Sequence, residues 1–215
     1  MARPPVIKKE ELLTAAVTLF RKNGVDNTTV SDIVSEAHVA QGTFYNYFQS
    51  KDDIFADVLE KETEQSIDEM RKTAKRNDID SVEKLELIAQ QDFLMNRQND
   101  NLFDVLHEPR YAYTHQKYII GRIQKLKPIY AELIRQGVSA GLLMTSYPEE
   151  TAYLLLITQK FMFEPAFFTF SKDEMLKMVD AFSDFAGRVL GIKHDLTMQK
   201  EWEQHILKYF GGGTK

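Results

Sequence analysis

The chain has 215 residues, of which 43% are hydrophobic and 27% are charged, and its formal net charge is -5 at pH 7. This composition excludes a disordered chain, and the longest apolar stretch, residues 153–170, is interrupted by Lys160, Glu164 and Pro165. We therefore expect a buried helix there and not a membrane span. The absence of cysteine excludes disulfides and cysteine-ligated metals, and the N-terminus lacks the apolar core of a signal peptide, so we expect a soluble cytoplasmic protein. Net acidity by itself argues against nucleic acid as a partner.

The distribution of glycine and proline predicts an all-α fold. Neither residue occurs among the 66 residues from Thr43 to Glu108, which are rich in helix-forming side chains. No stretch alternates apolar and polar residues for long enough to predict a strand. The predicted helices are residues 8–23, 30–37, 41–48, 51–76, 81–98, 101–108, 112–140 with a kink or break at Pro128, 148–167, 172–190 and 197–209.

Capping signals mark where several of these helices begin and end. Gly24 ends the first helix, because glycine tolerates left-handed backbone. Residues 29–32 and 171–174 have the [ST]-x-x-[DE] form of a capping box, which predicts the starts of the second helix and of the helix at 172–190. Ser50 is expected to cap the fourth helix, whose first turn carries two carboxylates that suit the helix dipole.

The second and third predicted helices are short and close together, which is the sequence form of a helix-turn-helix. In the third helix, a rotation of about 100° per residue puts Phe44 and Phe48 on one face. The opposite face offers amide and hydroxyl groups, and Gly42 has no side chain to keep the backbone away from a DNA groove. Periodicity alone leaves an alternative open, in which this is a plain surface helix whose tyrosines only pack.

Residues 28–55 resemble the N-terminal DNA-binding motif of the TetR family of bacterial transcriptional regulators; their sequence is TTVSDIVSEAHVAQGTFYNYFQSKDDIF. The T-x-x-D-I start, the A-x-V turn, the G-T-x-Y-x-Y-F helix and the S-K-x-x-[IL] opening of the next helix keep the same register. Two positions depart from the family pattern. His38 replaces the usual Gly of the turn, and Ala40 replaces the usual Ser cap, which we expect to cost about 0.5–2 kcal/mol of local stability.

The resemblance implies roles for individual residues. Base contacts in the major groove are implied for Gln41, Gly42 and Thr43. Phosphate contacts are implied for a second set, Thr29, Tyr45, Asn46, Tyr47 and Lys51. The implied fold is all-α, with an N-terminal three-helix helix-turn-helix DNA-binding head joined by a long fourth helix to a larger helical ligand-binding and dimerisation domain. The expected domains are residues 6–66 and 67–210.

The C-terminal two-thirds of the chain is rich in aromatic residues, most of which we expect in the core because large rings dominate burial. Such a domain could also surround an apolar cavity, and the resemblance implies that a small effector binds there. The candidate contacts for a small apolar or aromatic effector are Met95, Phe103, Tyr113 and Phe161.

Two predicted helices, near 148–167 and 172–190, carry more apolar residues than one core contact requires. We predict that both pair with their symmetry mates in the four-helix interface of a homodimer. The alternative is that both are fully buried central helices.

Taken together, these features predict a ligand-responsive repressor that acts as a homodimer on a palindromic operator in double-stranded DNA, without a cofactor, a metal or a membrane. No catalytic set is predicted, and His107 and His115 lack the i,i+4 spacing of a helical zinc site. The alternative function is a small-molecule-binding helical protein or enzyme whose N-terminal head is only structural.

The charge is distributed unevenly along the sequence. Residues 1–52 contain six basic and six acidic side chains, whereas residues 53–215 contain 21 and 26. Residues 38–50 contain no formally charged side chain. The acidic excess therefore belongs to the expected ligand and dimer domain, and we expect the neutral head to attract DNA weakly and with a modest dependence on salt.

Overall fold

The computed structural model describes residues 5–95, 101–164 and 167–192, with side chains described for residues 8–93, 102–164 and 167–192. Within these ranges the chain forms helices and turns and no strand, which confirms the predicted all-α class. The helices are α1 Pro5–Asn23, α2 Val30–Glu36, α3 Gln41–Tyr45, α4 Lys51–Ala74, α5 Ser81–Met95, α6 Asn101–Asp104, α7 Ala112–Ser139, α8 Pro148–Met162 and α9 Lys172–Leu190. Two 3₁₀ turns, Val105–His107 and Pro109–Tyr111, link α6 to α7. The helix predicted at 197–209 lies outside the described residues.

Two predicted helix ends were wrong. The third helix ends at Tyr45 and not at residue 48, because the Asn46 N–H donates to the Thr43 carbonyl in a tight turn. The helix predicted to reach residue 167 ends at Met162. Pro165 explains the second difference, since proline has no N–H and also disfavours helical backbone in the residue before it.

Two further predictions between residues 101 and 140 also need correction. The helix predicted at 101–108 is a single α-helical turn followed by 3₁₀ turns. α7 runs unbroken through Pro128, so the predicted break is wrong. Pro128 is exposed, while Leu126 and Tyr130 on either side of it are buried, and this packing holds the helix together across the missing hydrogen bond.

The chain divides into two compact units. The first comprises Met1–Gln65 with Asn99–Tyr118, and the second comprises Ser66–Gln98 with Ile119–Lys215. The first break lies beside the expected boundary after residue 66, but the segment 99–118 groups with the N-terminal unit although it is distant in sequence.

The core of the first unit includes an apolar stripe on α1. Leu12, Ala16 and Phe20 are fully buried, and the Phe20 ring meets the Phe55 ring of α4 edge-on at 5.8 Å. Gly24, at φ 82°, ends α1 as predicted, with its N–H donating to the Phe20 carbonyl. α2 and α3 both contact α1, so the core of this unit fixes the position of the helix-turn-helix.

The second unit packs the end of α4, α5, most of α7, α8 and α9 around its own apolar core. The fully or almost fully buried side chains include Ile67, Ile88, Leu126, Leu156 and Val179. α9 begins with the predicted capping box, in which Ser171 and Glu174 exchange hydrogen bonds between side chain and backbone.

Candidate nucleic-acid interface

The predicted capping box at the start of α2 is present. The Asp32 N–H donates to the Thr29 hydroxyl at 3.1 Å, and the Thr29 N–H and hydroxyl donate to the Asp32 carboxylate at 2.8 and 2.6 Å. These bonds hold the pKa of the Asp32 carboxyl below its usual value. The exposed Thr29 is thereby fixed at the first turn of α2.

The turn between α2 and α3 is a Schellman motif, with His38 in the place where glycine is usual. His38 has φ 52°, the Val39 N–H donates to the Val34 carbonyl at 3.0 Å, and the His38 N–H donates to the Ser35 carbonyl at 3.1 Å. His38 therefore adopts the left-handed backbone that glycine adopts at no steric cost. Ala40, at the start of α3, makes no side-chain capping bond. Both departures from the family pattern affect how α3 is held and not the groups that it exposes.

α3 has an apolar inner face and a polar outer face. Phe44 and Phe48 are buried with their rings 5.5 Å apart, as the periodicity predicts. Gln41, Gly42, Tyr45 and Asn46 are exposed, and 58% of Tyr45 is accessible to solvent. Thr43 and Tyr47 are half-buried. The six predicted contact residues of this segment are uncharged and none is fully buried; four of them lie within α3 and two in the turn after Tyr45.

Gly42 is open to its surroundings. A Cβ atom built on Gly42 would meet no atom within 4 Å. The fold itself therefore does not require glycine here, whereas an approaching groove would require the space that a side chain occupies.

Lys51, at the start of α4, is partly engaged within the head. Its ammonium donates to the backbone carbonyls of Val25 and Asp26 at 2.7 and 3.2 Å, in the loop between α1 and α2. An ammonium has three N–H donors, so these two bonds leave one for a phosphate. Sequence reasoning missed the tie to the loop, because 25 residues separate the two partners.

Other basic side chains of the head are paired with acids of α4. The Lys9 ammonium lies 2.7 Å from the Asp57 carboxylate, and the Arg21 guanidinium lies 2.6 Å from the Glu62 carboxylate. These pairs leave polar, uncharged groups as the main chemistry of the exposed α3 surface. Such groups suit direct hydrogen bonding to base edges and phosphates more than long-range attraction.

The predicted effector contacts belong to both units. Phe103 is buried against Tyr118 at 5.7 Å and Tyr113 is 68% exposed beside Lys117, both in the first unit. Phe161, in the second unit, is half-buried and stacks on Phe167 at 5.4 Å. The side chain of Met95 lies outside the described residues. A ligand role for these four residues stays a prediction.

The second unit contains an apolar cavity of the kind that the aromatic-rich sequence suggested, but Phe103, Tyr113 and Phe161 are not among its described lining residues. It has a volume of about 50 Å³ and is partly open to solvent. Its lining comes from α5, α7, α8, α9 and the residues after α9: Val82, Leu85, Glu86, Ala89, Tyr130, Leu155, Gln159, Phe182, Ser183, Ala186, Leu190 and Ile192. The Tyr130 hydroxyl is buried and has no hydrogen-bond partner among the described residues.

Three buried charges lie in the same unit. The Asp92 carboxylate accepts from the Arg122 guanidinium at 2.5 Å and pairs with the Lys160 ammonium at 2.6 Å. Arg122 also donates to the Ser66 hydroxyl at 3.2 Å. Burial lowers the pKa of the Lys160 ammonium to about 8, although the nearby Asp92 opposes this shift. These charges join α4, α5, α7 and α8.

One pair of histidines and one sequence pattern are of the kinds found in metal sites and in hydrolases. The His107 and His115 rings meet edge-on at 5.3 Å although they are eight residues apart in sequence. Residues 137–141 match the G-x-S-x-G pattern of serine hydrolases, but Ser139 is the last residue of α7. A nucleophile elbow needs a strand before the serine and a helix after it, so this match has no catalytic context.

Comparison with known proteins agrees with the geometry of the head. A model of bacterial regulatory proteins of the tetR family matches residues 12–58, and a model of the tetracyclin repressor-like C-terminal domain matches residues 94–185. The fatty acid metabolism regulator protein of Bacillus subtilis is 33% identical over 136 residues, which cover 62% of this chain and 70% of that protein. The HTH-type regulator YvdT of the same organism is 32% identical over 95 residues, 44% of this chain and about half (48%) of YvdT.

Solved structures share the fold over nearly the whole chain. A transcriptional regulator from Cytophaga hutchinsonii has a TM-score of 0.60 at 21% identity, covering 94% of each chain. RolR, solved in complex with resorcinol, has a TM-score of 0.62 at 17% identity, covering 95% of this chain and 93% of RolR. No helix among the described residues is long and apolar enough to cross a membrane.

Proposed function

Because this chain belongs to the TetR family of bacterial regulatory proteins, we propose that it is a ligand-responsive repressor that binds a palindromic operator as a homodimer. Family membership makes it a DNA-binding transcriptional regulator and not an enzyme. The observation that carries the proposal is the exposed, uncharged polar surface of α3 on a buried phenylalanine pair. The proposed place of action is the cytoplasm, where bacterial DNA lies.

In this proposal α3 lies in the major groove. Gln41 and Thr43 bond base edges, and the bare backbone at Gly42 allows close approach. Phosphate contacts come from Thr29, Tyr45, Asn46, Tyr47 and Lys51, whose hydroxyl, amide and ammonium groups are the usual donors to phosphate oxygens. The exposure of Thr29, Tyr45 and Asn46 supports these roles.

We assign dimerisation to α8 and α9. α8 buries Leu155 and Leu156 within its own unit and exposes Tyr153 and Leu154, the latter by 58%. α9 buries a stripe through Val179 and Phe182 and exposes Phe185. Both helices therefore retain apolar groups beyond their core contacts, which speaks against the alternative of two fully buried central helices and favours pairing with a second copy.

We assign effector binding to the second unit. The apolar cavity beside Tyr130 supports this assignment, because ligand sites are mostly apolar concavities with a few polar groups. The cavity has a volume of about 50 Å³ and is partly open to solvent, which suits a small apolar or aromatic molecule that is not fully enclosed. Met95, Phe103, Tyr113 and Phe161 remain further predicted contacts.

Selection of duplexes from random DNA by the purified full chain tests the function. We expect enrichment of one palindrome whose half-sites lie about one helical turn apart or slightly more. Fluorescence anisotropy at moderate salt should then give tighter binding to the selected duplex than to random duplex. Equal binding to both would contradict the regulator proposal.

A double variant separates DNA readout from packing. Thr43→Ala with Tyr45→Ala removes a proposed base contact and a proposed phosphate contact, and we expect specific binding to be lost. The melting temperature should change little, because Tyr45 is largely exposed and Thr43 half-buried. A large loss of stability would instead favour the packing role of the tyrosines.

A further inference from the structure

The loop between α1 and α2 leads directly into the proposed DNA-contacting residue Thr29. This loop is folded onto itself: the Thr28 hydroxyl is buried and donates to the Gly24 carbonyl at 2.8 Å. Lys51 holds the loop from α4 through the carbonyls of Val25 and Asp26. The Asp26 side chain, in contrast, points to a segment of the chain far away in sequence.

That segment is the 3₁₀ turn Pro109–Tyr111. The Arg110 guanidinium forms an ion pair with the Asp26 carboxylate, and the Tyr111 hydroxyl donates to the same carboxylate at 3.4 Å. The Tyr111 ring is buried edge-on against Phe55 at 5.3 Å, which anchors the turn to α4. Arg110 lies over the Tyr111 ring at 4.7 Å, so an aromatic platform fixes its direction.

Asp26 is a carboxylate three residues before Thr29. An unpaired carboxylate there would repel the DNA backbone, and the head has no net positive charge to offset that repulsion. Arg110, from outside the N-terminal 66 residues, places a positive charge directly beside Asp26. The same guanidinium also forms an ion pair with the Glu108 carboxylate, at 3.2 Å.

We propose that Arg110 is a positioning residue for DNA binding, which holds and neutralises Asp26 on the α1–α2 loop without touching DNA itself. The DNA-binding head is then discontinuous in sequence, with residues 101–111 as part of it. α6, in this same segment, also contacts α1. The inference rests on the proposed function, since it concerns affinity for an operator.

Arg110→Gln tests the proposal in the full chain, with a fluorescein-labelled duplex selected by the wild-type chain as the probe. The side chains of Asp26 and Arg110 are 40% and 52% exposed, so the pair is a modest one. We expect the Kd to rise about threefold for each head, or about tenfold for two heads. The loss should shrink as salt is raised, because it is electrostatic.

The double variant Asp26→Asn/Arg110→Gln distinguishes charge from folding. It removes the carboxylate that Arg110 would have neutralised, so its Kd should return to within about twofold of the wild-type value. The melting temperature of both variants should stay close to that of the wild type. Arg135→Gln is the matched control, because Arg135 is an exposed arginine of the second unit that also pairs with two carboxylates, those of Glu132 and Glu149.

Three outcomes overturn the inference: wild-type affinity in Arg110→Gln, no recovery in the double variant, or a shared fall in melting temperature that tracks the lost affinity. These differ from failure of the proposed function. If the wild-type chain itself selects no duplex, the regulator proposal fails before Arg110 is tested.

Discussion

At the scale of single residues, a substitution at Gly42 should affect folding stability and DNA binding in opposite directions. Alanine at this position meets no neighbouring atom in the free protein, and it favours helix over glycine by about 0.5–1 kcal/mol. We expect Gly42→Ala to keep or raise the free energy of unfolding and to weaken operator binding about tenfold, since base contacts are worth about 1–3 kcal/mol. Chemical denaturation and anisotropy measure the two effects.

Gly121→Ala provides the control for Gly42→Ala. Gly121 lies inside α7, in the second unit, and a Cβ there also meets nothing within 4 Å. Its replacement should raise stability to a similar degree while operator affinity stays at the wild-type value. If Gly42→Ala binds the operator as tightly as Gly121→Ala, the backbone at position 42 does not approach DNA.

At the scale of the elements, the helix starts marked by capping boxes were predictable, whereas the start of α1, which lies at Pro5 and not at residue 8, and some helix ends were not. The capping boxes at 29–32 and 171–174 are local, so the residue pattern alone determines them. α3 is shorter than predicted because apolar periodicity continues to Phe48 while the backbone already turns after Tyr45. Apolar periodicity indicates which side chains are buried. It continues from a helix into a tight turn that follows, so it cannot locate the residue at which the helix ends.

The candidate sites differ in the same way: features formed by neighbouring residues were predictable, and features formed by residues distant in sequence were not. The exposed surface of α3 was predictable because it lies within seven consecutive residues, 41–47. The lining of the cavity and the pairing of the buried charges were not predictable, because both depend on long-range packing. Asp92, Arg122 and Lys160 are separated by 30 or more residues and meet only where α5, α7 and α8 pack together. In the sequence each of them resembles an ordinary surface charge.

Removal of the shared carboxylate should strongly destabilise the second unit. Asp92→Asn leaves Arg122 and Lys160 buried without their common anion, and we expect a loss of about 3–5 kcal/mol in the free energy of unfolding. Lys160→Met keeps the pair of Asp92 and Arg122 and replaces a buried ammonium by an apolar group, so we expect a much smaller effect. Equal losses in both variants would show that Asp92 is not the common anion.

Lys160 should also make the free energy of unfolding depend on pH. The pKa of Lys160 falls from 10.5 to about 8 on folding, so between these values the unfolded chain binds more protons than the folded chain. The free energy of unfolding of the wild type should therefore rise with pH above about 8, by at most about 1.4 kcal/mol per pH unit. Below about pH 8, Lys160 is protonated in both states, so this slope is absent there. Lys160→Met should lose this slope. Denaturation from pH 7 to 9.5 stays below the range in which the buried Tyr130, whose pKa is raised, acts in the opposite direction.

At the scale of the whole molecule, the net charge of -5 by itself argues against DNA binding, but its distribution along the chain does not. The surplus of acid lies in residues 53–215, whereas residues 1–52 are balanced. A neutral head gives little long-range attraction to DNA, so affinity has to come from short-range contacts. In the proposed homodimer two heads would double those contacts, so we expect tight binding to require dimerisation.

Leu154→Glu tests that condition. Leu154 is 58% exposed on α8, so a charge there leaves the core of its own unit intact but would be buried in the proposed interface. Light scattering should give twice the 24.9 kDa of one chain for the wild type and a single chain for the variant. Ile120→Glu, at an exposed aliphatic position on α7, should remain dimeric. Because one head alone makes half the contacts, monomeric Leu154→Glu should also lose binding to the full palindrome, and a variant that stays dimeric would remove α8 from the interface.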